Sequence, residues 1–119
     1  MQLQRAYRIT TFAPPEHVDT VLDAILAKDS LAYGPYDKSA WWSAIGTEQF
    51  EPRAGANPTL GKIGQTERVP TIRLEFALPR DETILNRVLD ALLQAHPWQE
   101  PAVFVDETII TVSNPNVSI

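Results

Sequence analysis

The chain contains no cysteine. That absence excludes disulfides, thiolate zinc sites and cysteine nucleophiles together, and it fits a reducing compartment. It also contains no run of lysine or arginine: the formal net charge is −5, from 10 basic against 15 acidic residues. Nucleic-acid binders carry a basic stripe that displaces counterions, so nucleic acid is not an expected partner. No stretch approaches the roughly 20 consecutive apolar residues of a membrane span, and Met1-Gln2-Leu3-Gln4-Arg5 lacks the apolar run of a signal peptide. We therefore expect a cytoplasmic protein with no membrane partner. Histidine is scarce as well, with His17 and His96 the two in the chain.

What is present is ordinary for a globular domain: 119 residues, 44% hydrophobic and 21% charged. Nothing resembles a low-complexity linker, so we expect one domain over residues 1–119 with its core at 4–112. Residues 4–12 read as a strand, with Tyr7, Ile9, Thr10, Thr11 and Phe12 supplying aromatic and β-branched side chains. Pro14-Pro15 stops it. Val18, Val21, Leu22, Ile25 and Leu26 follow at spacings of three and four, predicting a helix over 16–28. Residues 29–38 read as a loop around Gly34-Pro35. Residues 39–45, with Trp41-Trp42, predict a strand; 48–52 predict a short partner strand, with Gly46-Thr47 as the turn. Residues 53–65, punctuated by Gly55, Asn57-Pro58, Gly61 and Gly64, read as an ordered arm. In 69–78, Ile72, Leu74 and Phe76 alternate with Thr71, Arg73 and Glu75, a strand pattern. Asp81 is an N-cap candidate for a second helix striped by Leu85, Val88, Leu89, Leu92 and Leu93, closed by His96-Pro97. Residues 102–112 predict a final strand, and 114–119 a frayed tail.

The two helices echo each other: Val21-Leu22-Asp23-Ala24-Ile25-Leu26 against Val88-Leu89-Asp90-Ala91-Leu92-Leu93, each after a strand carrying phenylalanine and then a proline. Two strand–helix–strand halves sharing one sheet give an α+β, ferredoxin-like βαββαβ sandwich, with a hairpin arm between the second and third main strands. Helices cover one sheet face. Trp41 and Trp42, adjacent on a strand, point to opposite faces, so at most one fits beneath the helices. The other needs cover from the arm or from a neighbouring chain.

Three stretches together resemble a known family: Gly46-Thr47-Glu48-Gln49-Phe50-Glu51-Pro52, Gly55-Ala56-Asn57-Pro58-Thr59-Leu60-Gly61 and His96-Pro97-Trp98-Gln99-Glu100-Pro101-Ala102. They are similar to the G-x-x-x-F-x-P, G-A-N-P-x-x-G and H-P-Y-E-E-P-A elements of the YqfO-like domain. That domain occurs inserted in larger Nif-three-like proteins and as short stand-alone chains. The resemblance spans roughly residues 7–110. It implies a CutA-like, PII-like fold assembled as a trimer. Larger relatives are named GTP cyclohydrolase type 2 homologues and hold a two-metal site, whose ligands lie in the host domain around the insert. With two histidines in all, this chain does not carry that site over. It departs from the family at Trp98-Gln99-Glu100, which loses one carboxylate. Asp37-Lys38-Ser39-Ala40 stands where an Asp-Lys-Cys-Ser run is expected.

Candidate chemistry is sparse. His96 and Glu100, joined by Asp106 or Glu107, are a metal pair on one reading; His96 as a helix cap, favouring the dipole, is the other. The glycines of 55–64 are either a phosphate cradle or turn residues, and the spacing is not that of a P-loop. His17 reads as a surface residue, Asp23 and Asp90 as a solvated face. We expect no catalytic residues, no metal ligands and no cofactor. Gly55, Asn57, Gly61, His96 and Glu100 are the candidate ligand-binding residues. Trp41, Trp42, Phe50 and Pro58 are the candidate interface. The favoured reading is a non-catalytic, homo-oligomeric PII/CutA-like binding or regulatory domain, its partners a second and third copy of itself and a small-molecule ligand. The alternatives are a small hydrolase-like or metal-dependent enzyme and a pure protein-assembly module.

Overall fold

A computed structural model describes residues 1–113; the tail expected over 114–119 lies outside the described residues. In chain order the elements are β1 (Gln2–Ala13), a 3-10 turn (Pro15–His17), α1 (Val18–Leu26), β2 (Trp41–Trp42), β3 (Gly46–Phe50), β4 (Glu67–Pro79), α2 (Glu82–Ala95) and β5 (Val103–Val112). The sheet runs β2–β4–β1–β5, with β3 also on β4, and every pairing is antiparallel. This is the ferredoxin-like order, with β2 and β3 together forming the second main strand.

That second strand differs from the expected strand–turn–strand. Gly46-Thr47 is not a turn, and residues 39–45 shrink to Trp41–Trp42. Both pieces run alongside β4 in one direction: Trp42 sits opposite Leu74 and Gly46 opposite Thr71. Three residues, Ser43 to Ile45, therefore face two, Ile72 and Arg73. This is a one-residue β-bulge. The backbone stays tied through it: Ser43 N–H donates to the Arg73 carbonyl (3.0 Å) and Arg73 N–H donates to Ser43 Oγ (2.9 Å).

The helix-covered face holds the core. Tyr7, Ile9 and Ala13 on β1 pair with Leu78, Phe76 and Ile72 on β4, and these lie buried under Val18, Val21, Ile25, Val88 and Leu92. The leucine stripe of α2 is turned slightly from the expected one. Val88 and Leu92, one turn apart, point straight down, while Leu85 and Leu89 pack on the rim of the core. The first helix starts later than expected, because Pro15 and His17 close a 3-10 turn with the His17 N–H on the Pro14 carbonyl (2.9 Å). Asp81 caps α2 as expected, its Oδ1 accepting from Ile84 N–H at 3.1 Å.

The opposite face is open. Arg8, Thr10 and Phe12 of β1 share it with Arg73, Glu75, Trp41 and Phe104. Neither tryptophan fits beneath the helices: Trp41 is 52% and Trp42 46% exposed. Trp42 is on the helix side, but β2 lies at the sheet edge beyond the reach of α1 and α2. At the far end, Gln2 to Arg5 and Ile109 to Val112 run on past the last β4 partner as a two-stranded ribbon. No helix among the described residues is long and apolar enough to cross a membrane.

Candidate functional site

Two segments that are distant in sequence meet at one end of the open face. The first is β3 and the arm after it. Pairing with β4 sets Glu48 opposite Val69 and Phe50 opposite Glu67, so both side chains stand on the open face with Thr71. The chain then turns at buried Pro52. Its carbonyl accepts from Gly64 N–H at 2.7 Å, and Thr66 Oγ1 donates to Glu51 Oε1 at 2.7 Å. The arm is therefore a closed loop with a fixed shape. Gly61, at φ +90°, packs so tightly that a Cβ there would lie 2.9 Å from Glu67 Cγ and 3.4 Å from Phe50 Cε2. Only glycine tolerates both that φ and that approach.

The second segment is the turn after α2. Pro97 forces His96 out of the helical region, to ψ 135°. His96 is 6% exposed. Its Nε2 lies 2.6 Å from the Phe12 carbonyl, and Trp98 N–H donates to its Nδ1 at 3.1 Å. Because Nδ1 accepts, the proton of the neutral ring sits on Nε2 and is donated to Phe12. Burial pushes the His96 pKa down, the Phe12 bond opposes that shift, and the charge of His17 adds to it. With both nitrogens engaged, His96 braces the turn and has no free lone pair for a metal or a substrate. Among the described residues no three His, Asp or Glu side chains converge to hold a metal.

Behind this brace the Trp98 ring stacks at 5.3 Å from His96 and 6.3 Å from Phe50, tilted in both cases. The two segments are joined by one bond, Asn57 N–H to Gln99 Oε1 at 2.9 Å. Between them lies an open cavity of about 220 Å³, walled by Phe50, Pro52, Leu60 and Trp98 and edged by Glu48, Glu51 and Glu100. Burial pushes the Glu48 pKa up. Glu48 Oε1 is buried and has no hydrogen-bond partner.

The residues singled out from the sequence gather around this cavity unevenly. Glu100 and Pro58 line it, and so does Phe50, a candidate interface residue by sequence. Asn57 contributes its backbone N–H to the closing bond. Gly61 supports the wall from behind, Gly55 lies on a turn outside it at φ +96°, and His96 stands behind Trp98. Trp41 and Trp42 sit on opposite faces of β2. Sequence reasoning missed Trp98, Gln99 and Glu48. The signal for the first two was present, since they are where the chain departs from its family pattern. Glu48 had none, because its direction depends on the bulge.

Gln99 tests the join. Gln99→Ala removes one exposed hydrogen bond, so it should lower stability by no more than about 1 kcal/mol. It should nevertheless raise amide exchange at Asn57 and through the arm. Unchanged exchange at Asn57 would show that the arm holds its place without the turn.

No family model matches the chain. Curated relatives do. Over 91 residues, 76% of this chain, it is 40% identical to a GTP cyclohydrolase 1 type 2 homolog of Mycobacterium leprae. Over 96 residues, 81% of this chain, it is 32% identical to one of Halalkalibacterium halodurans. The chain spans 23% and 25% of those proteins, about a quarter of their length. Among solved structures, a Bacillus cereus protein related to NIF3 superimposes with a TM-score of 0.72 at 27% identity, over 91% of this chain and 27% of that one. The periplasmic divalent cation tolerance protein CutA of Archaeoglobus fulgidus matches at TM-score 0.59 and 15% identity, over 85% and 81% of the two chains. A nitrogen regulatory PII-like protein of Thiomonas intermedia, solved with ADP, AMP and bicarbonate, matches at 0.56 and 14%, over 92% and 97%. These last two share the fold.

Proposed function

This chain is a YqfO-like relative of the Nif-three-like proteins with the CutA-like, PII-like fold, and on that footing we propose that it is a non-catalytic, homo-oligomeric binding or regulatory domain. In this reading residues 1–119 act as one cytoplasmic domain, and a small molecule binds near the 46–64 arm and the 96–101 turn. The fold and the relatives fit a small regulatory or binding domain. The observation that carries the assembly is the uncovered sheet face, where Trp41 is 52% and Phe104 56% exposed. Large aromatics left in water on a sheet face mark interfaces. A stable contact buries at least about 1,000 Å² around such an anchor.

Three copies is the number the family resemblance implies. Light scattering at micromolar concentration is the test. The expected mass is that of a closed oligomer, three protomers, and Trp41→Glu should reduce it to one. A monomer mass for the wild-type chain at every concentration would sink the proposal of assembly.

A further inference from the structure

We infer that the cavity between the arm and the 96–101 turn receives a small organic cation, an alkylammonium or guanidinium group seated against Phe50 and Trp98 with Glu48 and Glu100 as its counter-charges. The inference rests on reading this cavity as the ligand site, and it names the ligand's chemistry.

Charge comes first. Glu48, Glu51 and Glu100 line the cavity, and no lysine or arginine does. An anion such as a nucleotide phosphate would meet like charges there at close range, and a cation would meet opposite ones. Glu51 holds Thr66 through one of its two oxygens, so Glu48 and Glu100 are the less engaged of the three.

The walls then decide which cation. Phe50, Pro52, Leu60 and Trp98 present carbon, not oxygen. A divalent metal ion needs several convergent ligand atoms to replace its water, and among the described residues no three His, Asp or Glu side chains converge to hold one. An organic cation carries its own apolar surface. It gains from packing on the rings and from the negative π-faces of Trp98 and Phe50, tryptophan being the best partner for a cation. The volume, about 220 Å³, is below the roughly 300–1,000 Å³ of drug-sized pockets. It suits a group of a few heavy atoms, a small amine or the end of a long side chain.

An independent observation points the same way. Glu48 Oε1 is buried with no hydrogen-bond partner. An unmade bond at a buried acceptor is costly, and an N–H donor in the cavity would make it. Burial also raises the Glu48 pKa, so this carboxyl gives up its proton at higher pH than a free one, and the charged form is the one that holds a cation. Binding then tightens as pH rises.

The experiment follows the Trp98 indole N–H by proton–nitrogen correlation spectra of the whole chain. The probes are butylammonium and butylguanidinium, the acetylated amides of lysine and arginine, the neutral isosteres pentanol and butylurea, and ADP. Saturable shifts with the cations, at least roughly tenfold tighter than with the isosteres, are expected. Glu48→Gln should weaken them by a similar factor and remove the rise with pH. Where that variant is unfolded, Glu100→Gln carries the same comparison. Tighter binding of the free amines points to a metabolite and of the amino-acid amides to a protein side chain, and either supports the inference. Equal binding of cations and isosteres overturns it. A shift with ADP or an isostere alone overturns the cation and leaves the ligand site standing. No saturable shift with any probe overturns both.

Discussion

Truncating Leu92 to alanine should lower the free energy of unfolding by about 2–5 kcal/mol. Leu92 is fully buried on α2 and sits in the cluster that joins both helices to β1 and β4. Removing its side chain takes away the transfer energy of three carbons and leaves a void that a two-layer sandwich fills poorly. Leu89, on the rim of the same stripe, should lose clearly less. Chemical denaturation at one fixed protein concentration measures both, since an oligomer's apparent stability depends on concentration. A loss below about 1 kcal/mol for Leu92→Ala would show that the helix is not anchored there.

His96→Ala should be nearly as damaging, by about 2–4 kcal/mol, because it orphans two groups at once. The Phe12 carbonyl loses its donor, and the Trp98 N–H loses its acceptor. The same residue gives stability a pH dependence. Its folded-state pKa is held below the ordinary 6.5. The unfolded chain therefore takes up a proton that the folded one refuses. The contribution is fully present above that ordinary value and falls away as pH drops below it, down to the lowered folded-state value. The slope is at most about 1.4 kcal/mol per pH unit. Protonation would also place a second N–H against the Trp98 N–H, so the turn should loosen with the fold. Comparing wild type with His96→Gln across this window isolates the effect from His17 and the carboxylates. Equal slopes in the two proteins would refute it.

Most of the scaffold was legible in the sequence, and for identifiable reasons. The alternation of Ile72, Leu74 and Phe76, the apolar stripes of both helices, the Asp81 cap and the His96-Pro97 stop are local signals, each set by neighbours within a few residues. The repeat of the two helices then fixed the topology, because one sheet must serve both halves. The second strand was harder to read. Trp41-Trp42 and the stretch from Gly46 are both strand-like, and a glycine between strands normally reads as a turn. Whether that chain reverses or continues depends on pairing with β4, some 30 residues away. The cavity was illegible for the same reason. Glu48, Phe50 and Trp98 are brought together only by long-range register and by the Asn57–Gln99 bond.

The bulge at Ser43 to Ile45 has a consequence for how such a site can be gained or lost. Side chains alternate along a strand, so one extra residue exchanges the two sides for everything after it. With it, Trp41, Glu48 and Phe50 all address the open face, although 41 is odd and the other two are even. Were the same residues paired with β4 without a bulge, Thr47 and Gln49 would take the places of Glu48 and Phe50, whose charge and ring would turn toward the helix side. The chemistry of the cavity is thus encoded by a count as much as by residue identity. Point substitutions along β3 adjust it by degrees. A single-residue insertion beside Ala44, with the bulge still one residue, would instead set Thr47 opposite Val69 and Gln49 opposite Glu67, swapping an acidic, aromatic wall for a neutral polar one in one step while the pairing with β4 could persist. Among chains of this fold, length between the paired tryptophans and this phenylalanine is therefore the quantity to compare before any side chain is.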